Sequence, residues 1–198
     1  YFLYTDDSIF AGPNQQDIHQ VIVDVKQAQL DVTVEGTLED FLGVKITRKD
    51  DGTVIMTQPH LIKQIINILR LQQASTKDTP ASTSKIMRAF NDEPKFDNSF
   101  HYRSIIGKLN FLEGATRPDI SYTTHQCARF STDPRITHER AVLRIGKYLL
   151  GTKERGIKFI PDISKGVECH VDADFAGSWD KADSGNPENV LSRTGYII

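Results

Sequence analysis

Cysteine is scarce in this 198-residue chain: Cys127 and Cys169 are the two it has. Neither stands in a Cys-x-x-Cys pair or in a Cys/His cluster with zinc-ligand spacing. A disulfide scaffold and the common structural zinc sites are thereby excluded, and both thiols are expected to be reduced and buried. Long apolar runs are missing as well. No stretch approaches the roughly 20 apolar residues needed to cross a bilayer, and no basic-then-apolar leader precedes a small-residue cleavage site. The expectation is an intracellular chain with no membrane partner. What is present is ordinary for a globular protein, with 38% hydrophobic and 25% charged residues. The length allows one or two domains with a real core.

Charge is unevenly placed. The net −2 divides into −6 over residues 1–58, +8 over 59–167 and −4 over 168–198. Two acidic ends around a basic middle is the charge plan of a chain that holds metal ions at its ends and a polyanion between them. A solvated basic face fits the same numbers.

The opening residues YFLYTDDSIFAG read as a hairpin, with Tyr1 to Tyr4 as one strand, Thr5-Asp6-Asp7 as the turn and Ser8 to Ala11 as the return. Ile18, Val21, Ile22, Val25 and Ala28 then fall at helical spacing behind Asn14 as N-cap, predicting a helix over roughly 14–30 with one face on a sheet. From Val32 to Thr57 the pattern alternates, with Asp51-Gly52 marking a second hairpin. Pro59 opens a helix whose buried stripe is Leu61, Ile62, Ile65, Ile66 and Leu69. Residues 73–99 have little periodicity and read as a linker that crosses or wraps a surface.

Three helical stretches follow from His101 to Gly151, broken at Thr116-Arg117-Pro118-Asp119 and at Ser131-Thr132-Asp133-Pro134. In the last, Ala141, Val142, Ile145 and Leu149 bury one face while Arg140, Arg144 and Lys147 share the opposite one. From Arg135 to Lys158 the excess charge is +5, which suits either a solvated face or nucleic-acid phosphates. After Gly151 the period becomes two, at Ile157 and Phe159 and again at Val167, Cys169 and Val171. SRTGYII looks like a further strand, and strands so few and uncovered suggest a truncated domain.

The chemistry concentrates on Asp6 and Asp7. Two adjacent carboxylates on a rigid turn repel one another, and partial burial would drive one toward protonation. Magnesium removes that penalty, because it takes oxygen ligands and commonly uses one or two carboxylates with substrate phosphates. An acidic turn with no function is the competing explanation.

Tyr-x-Asp-Asp between apolar strands, then a helix, then Phe41-Leu42-Gly43-Val44-Lys45-Ile46, resembles the motif order of the reverse-transcriptase palm. YTDDSIFAG, LEDFLGVKI, YRSIIGKLNFLEGATRPDISY, HQCARFSTDP, RIGKYLLGT and HVDADFAG resemble, more narrowly and over nearly the whole chain, the Pol polyprotein of copia-type long-terminal-repeat retrotransposons. The resemblance implies an α+β chain: the C-terminal part of a palm with its primer-grip hairpin (1–58), a helical thumb or connection region (59–151) and the N-terminal strands of a ribonuclease H-like α/β domain (152–198).

It also implies roles. Asp6 and Asp7 match the palm aspartates that ligate the catalytic metals, two magnesium ions per site, and Tyr4 the aromatic that helps seat the primer end. Phe41, Leu42 and Gly43 match the hairpin that grips the primer, where a missing side chain lets nucleic acid approach. Asp172, in HVDADFAG, matches a metal ligand of ribonuclease H; Asp174 shares its face, and alternation turns both away from Val171, which is expected to pack. Arg140, Arg144 and Lys147 are candidates from charge alone, for phosphates of the duplex. The implied partners are an RNA template, a DNA primer, the RNA–DNA hybrid and deoxynucleoside triphosphates. The implied locations are a cytoplasmic virus-like particle or the nucleus.

Ser8 and Phe175 depart mildly from the family pattern. A further palm aspartate would precede Tyr1 and further ribonuclease H carboxylates would follow Ile198, so the chain is expected to hold parts of two active sites and to be inactive alone. The alternative is a non-catalytic nucleic-acid-binding remnant of a degenerate transposon copy. Oligomeric state is not legible.

Overall fold

Turn residues divide the chain largely as their chemistry requires. The computed structural model describes residues 2–5, 7–36, 38–82, 93–166, 168–177, 179, 181, 184–185, 187–192 and 194–197. Among them are five α-helices and three small antiparallel sheets, an α+β composition. They belong to two compact units, residues 1–38 and 39–198. The hairpin after Asp40 is therefore grouped with the helices rather than with the opening strands. No helix among the described residues is long and apolar enough to cross a membrane.

In the first unit β1 (Phe2–Tyr4) pairs with β2 (Asp7–Ile9) in the register Phe2↔Ile9, Leu3↔Ser8 and Tyr4↔Asp7. The expected hairpin forms, with Asp7 as the first residue of the return strand rather than part of the turn. Thr5, in the turn, stands at φ +52, a left-handed conformation that strains a β-branched residue. Helix α1 (Gln15–Gln27) starts where expected, because Asn14 Oδ1 accepts from Gln16 N at 2.9 Å. Asp17 in its first turn and Lys26 in its last complement the helix dipole. None of its residues is buried, and Ile18, Val21 and Val25 line an open cleft with Phe10 and Pro13 of the same unit.

The second unit begins with β3 (Asp40–Phe41), β4 (Val44–Arg48) and β5 (Val54–Thr57), and the sheet order is completed by β6 (Ile157–Phe159). Residues 32–36 form no strand although they alternate. Leu42 and Gly43, between the paired Phe41 and Val44, stand at φ +53 and +75. Two central residues with positive φ are the geometry that lets a two-residue hairpin match strand twist. Gly43 thus has a backbone reason to be glycine. Asp51-Gly52 marks a turn as expected, with Gly52 at φ +80 and Asp51 Oδ1 accepting from Thr53 N at 2.9 Å.

β6, which the sequence groups with the final strands, pairs antiparallel with β5 through Val54↔Phe159, Ile55↔Lys158 and Met56↔Ile157. Gly156 allows this: a Cβ there would lie 1.9 Å from the Met56 carbonyl oxygen. The chain thus returns from the helices to the sheet that precedes them.

The core is helical. Helix α2 (Pro59–Ile68) carries Pro59 at its first position and buries Ile62, Ile65 and Ile66, with Leu69 just beyond it. Helix α3 (Tyr102–Ala115) contributes Ile105, Ile106, Leu109 and Leu112. Helix α4 (Ser121–Ala128) contributes Cys127, and helix α5 (Ile136–Gly151) adds Val142, Ile145 and Leu149. Each fully buried Leu or Ile stabilises the fold by roughly 1.5 to 3 kcal/mol. The segment 73–99, expected to be a linker, is only partly one, because Phe96 enters this core beside Tyr102 and Phe100, which lies just past the segment, with ring centroids 4.9 Å apart for Phe96 and Phe100.

α2 ends in a Schellman motif. Leu71 N donates to Ile66 O at 3.0 Å and Arg70 N to Asn67 O at 3.1 Å, while Arg70 takes φ +54. Leu71 and Ile66 are both buried, which is the apolar contact the motif favours. Arg70→Gly removes the left-handed strain and is expected to raise stability by about 0.5 to 1 kcal/mol, read as a higher urea midpoint at unchanged slope.

β7 (His170–Ala173) and β8 (Thr194–Ile197) form the third sheet, with Val171 opposite Tyr196 and Asp172 opposite Gly195. The strands form as the alternation predicts, but Val171 is 74% exposed and does not pack. Cys169 is exposed too, against the expectation of burial that Cys127 meets. A two-stranded ribbon offers no second layer to cover either residue.

Candidate nucleic-acid and metal-ligating residues

Asp6 lies outside the described residues. Asp7 is exposed at the start of β2, opposite Tyr4 across the hairpin. A carboxylate there is carried by strand backbone and faces water. Phe41 and Leu42 are half-buried and Gly43 exposed at the β3–β4 turn. Among the described residues, nothing beyond its chain neighbours stands within 4 Å of where a Gly43 Cβ would be. Asp172 is exposed on β7, and Asp174 just after it lies over Gly177. Tyr4 and Asp7 belong to the first unit, and Phe41, Leu42, Gly43, Arg140, Arg144, Lys147 and Asp172 to the second.

The three basic candidates on α5 do not form the free face that their spacing suggests. Arg140 is exposed, whereas Arg144 and Lys147 are half-buried. The segment after α2 lies over them: Lys77 N donates to Lys147 O at 3.4 Å, and Arg144 Nη2 donates to Thr79 Oγ1 at 2.8 Å. The opposite side of α5 is buried as expected, and it includes His138, which sequence reasoning passed over. His138 accepts the Arg135 backbone N–H at Nδ1 and stacks on Phe130, with ring centroids 3.9 Å apart.

Sequence reasoning also passed over the densest polar network, which the break at TRPD builds. Arg117 is 1% exposed. Its Nε and Nη2 grip the two oxygens of Asp119 at 2.9 and 2.8 Å, its Nη1 donates to Thr152 O at 2.9 Å, and Nη2 also reaches Thr152 Oγ1 at 2.8 Å. Tyr148 OH donates to Asp119 Oδ2 at 2.6 Å and accepts from Arg155 Nη1 at 3.0 Å. Burial pushes the Asp119 carboxyl up, but hydrogen bonds from Arg117 and Tyr148 and the Arg117 charge outweigh it and hold the group below the usual carboxylate range. Thr116 Oγ1 donates to the buried Gln58 Oε1 at 2.8 Å. The turn thus ties together the β5–α2 junction, the end of α3 and the end of α5. A visible signal was an arginine and an aspartate held two apart by proline, between two helices with apolar stripes.

Among the described residues, no three His, Cys, Asp or Glu side chains gather as a metal site.

The retrovirus-related Pol polyprotein from transposon RE1 of Arabidopsis thaliana is 29% identical over 196 residues, which cover 99% of this chain and 13% of that protein. The Pol polyprotein from transposon TNT 1-94 of Nicotiana tabacum is also 29% identical, over 204 residues, covering 99% of the chain and 14% of its own length. An uncharacterized mitochondrial protein of Arabidopsis thaliana is 25% identical over 175 residues, covering 88% of the chain and 71% of that protein. No family model and no solved structure matches the chain. The resemblance read from the motifs is borne out: the chain is similar over nearly all its length to copia-type retrotransposon Pol polyproteins. It spans about an eighth of the length of the two Pol polyproteins.

Proposed function

We propose, from that similarity, that the chain is the segment of a transposon Pol polyprotein in which a reverse-transcriptase palm ends, a thumb or connection region follows and ribonuclease H begins. In the whole polyprotein it would serve an RNA-directed DNA polymerase acting on RNA template, DNA primer and deoxynucleoside triphosphates, and then on the RNA strand of the hybrid. Asp6, Asp7 and Asp172 would be its catalytic carboxylates, Tyr4 would seat the primer end, and Phe41, Leu42 and Gly43 would grip the primer.

The observation that carries this reading is the hairpin of β1 and β2, which presents Asp7 to water opposite Tyr4 on paired backbone. A polymerase needs an acidic group held rigidly where phosphates arrive, and a short hairpin supplies that. Asp7 with its neighbour Asp6, and separately Asp172, would hold magnesium, which would neutralise the carboxylates and the arriving phosphates. What the chain's own residues do is position: the hairpin holds Asp7, the left-handed turn holds Leu42 and Gly43, and α5 holds Arg140 toward solvent.

A second reading, of a non-catalytic nucleic-acid-binding remnant, is favoured by the +5 excess between Arg135 and Lys158. One set of assays separates the two. The isolated chain with magnesium, a primed RNA template and deoxynucleotides is expected to extend no primer. It is expected to bind an RNA–DNA hybrid with an affinity that falls steeply with salt, and Arg140→Glu should lower the slope of log affinity against log salt by about 1. Extension abolished by Asp7→Asn would show that the chain is a complete polymerase. Salt-independent binding, or none, would remove both the thumb assignment and the remnant reading.

A further inference from the structure

The segment following α2 crosses α5 before it reaches the core. Thr76 lies against Gly151, 3.1 Å from the position a Cβ would take, and Lys77 N donates to Lys147 O. Beyond it, Thr79 is exposed and is followed by Pro80. Its Oγ1 accepts from Arg144 Nη2 at 2.8 Å and donates to Ala81 O at 2.8 Å. Arg144 Nε is buried, and among the described residues it has no hydrogen-bond partner.

Nε and Nη2 of an arginine form one fork, both donors pointing the same way. This protein contains the filled version: Arg117 places the same two nitrogens on the two oxygens of Asp119 at 2.9 and 2.8 Å. In Arg144 one prong rests on a neutral hydroxyl oxygen and the other is empty. An unpaired buried N–H on a cation is costly, and a group with several anionic oxygens at Thr79 Oγ1 would satisfy both prongs. Arg140 and Lys147 lie four residues before and three after Arg144 on α5, and Lys77 lies in the crossing segment. Asp78 opposes them with a single negative charge.

We propose that Thr79 is a phosphorylation site for a protein kinase that selects threonine followed by proline, and that Arg144 receives the phosphate and fastens residues 74–82 across α5. In the reaction the Thr79 hydroxyl oxygen bonds the γ-phosphorus of ATP, the bond from that phosphorus to the β–γ bridging oxygen breaks, ADP leaves with the electron pair, and the hydroxyl proton passes to solvent. The new group carries about −1.5 to −2 charges and three acceptor oxygens. Occupying Arg144 and offsetting its neighbours, it would also weaken duplex binding at this face, a consequence that rests on the nucleic-acid reading above.

The test uses the full chain, ATP and a kinase of that specificity, with the phosphate located by mass spectrometry and backbone amide exchange followed over residues 74–82. Phosphate is expected on Thr79 and on no residue of that segment in Thr79→Ala. Exchange in the segment is expected to slow about tenfold on phosphorylation. Arg144→Gln, phosphorylated to the same extent, should show no slowing, and Arg144→Lys, which keeps the charge without the fork, should slow less than the wild type. No phosphate on Thr79 overturns the proposal, as does equal slowing in Arg144→Gln. Hybrid binding measured on the same samples separates the two readings: slowed exchange with unchanged affinity supports the phosphate site and counts against nucleic acid on this face.

Discussion

Arg117→Met is expected to destabilise the helical unit by about 3 kcal/mol, measured as a lower denaturant midpoint, with Arg117→Met/Asp119→Leu losing less than the single change. The reason lies in what the arginine leaves behind. Arg117 is 1% exposed and Asp119 is 36% exposed by side chain, so the pair straddles the edge of the core. Removing the cation leaves Asp119 with the Tyr148 hydroxyl as its remaining side-chain donor of those described above, and takes one of two hydrogen bonds from the Thr152 carbonyl, which keeps the Arg155 N–H, and one from the Thr152 hydroxyl, which keeps Tyr148 O. Lysine does not substitute, because one ammonium cannot meet two carboxylate oxygens and Thr152 with the geometry of a planar fork. Removing the carboxylate too leaves no buried charge unpaired, so the double variant loses packing and hydrogen bonds only.

The same pair fixes the sign of a pH effect. Asp119 titrates below the usual carboxylate range in the folded chain, so its contribution to stability is complete above the unfolded value of about 3.9. It is lost as pH falls from there through the folded value. In Arg117→Met the charge and the fork are gone while burial remains, and burial raises a carboxyl. Burial is then opposed by the Tyr148 and backbone hydrogen bonds without Arg117, so Asp119 loses most of that contribution, and the variant's deficit relative to the wild type should shrink as the solution is acidified. A deficit that stays constant from pH 6 to pH 3 would mean that Arg117 acts through packing alone.

Much of this architecture is legible because its signals are local. Asn14 and Pro59 start helices, Gly52 turns a hairpin, and the stripe of Ile62, Ile65, Ile66 and Leu69 is buried, since each depends on residues within one or two turns. What escaped depends on residues far apart. β6 could not be assigned to β5 from its own three residues, because strand pairing across 100 positions leaves no periodic trace; the hint was Gly156, whose lack of a side chain admits the Met56 carbonyl. The exposed Val171 was misread because alternation says which residues share a face and not whether anything covers it. Of the candidate site, the hairpin under Asp7 was legible from strand propensity. The half-burial of Arg144 and Lys147 was not, since it comes from a segment with no periodicity of its own.

That segment carries the second large effect. Phe96→Ala is expected to destabilise the unit by about 3 to 5 kcal/mol, although residues 73–99 have the composition of a linker. Phe96 is 6% exposed, with its ring centroid 4.9 Å from that of Phe100 and 5.8 Å from that of Tyr102. Truncation removes the ring and leaves a cavity among partners that are themselves fixed. Tyr102 is held by its hydroxyl on Cys127 O at 3.1 Å, and the backbone at Phe96 is held by its N–H on Pro134 O at 3.1 Å. Ile136 N returns a bond to Pro94 O at 3.2 Å, so the segment is laced to the start of α5 and cannot collapse inward to refill the space. Phe96→Leu, which keeps most of the volume, should lose about 1 to 1.5 kcal/mol, and the exposed neighbour Lys95→Ala should stay within about 0.5. A linker that only wrapped a surface would give all three variants the small value, and the urea midpoints of the series decide between the two accounts.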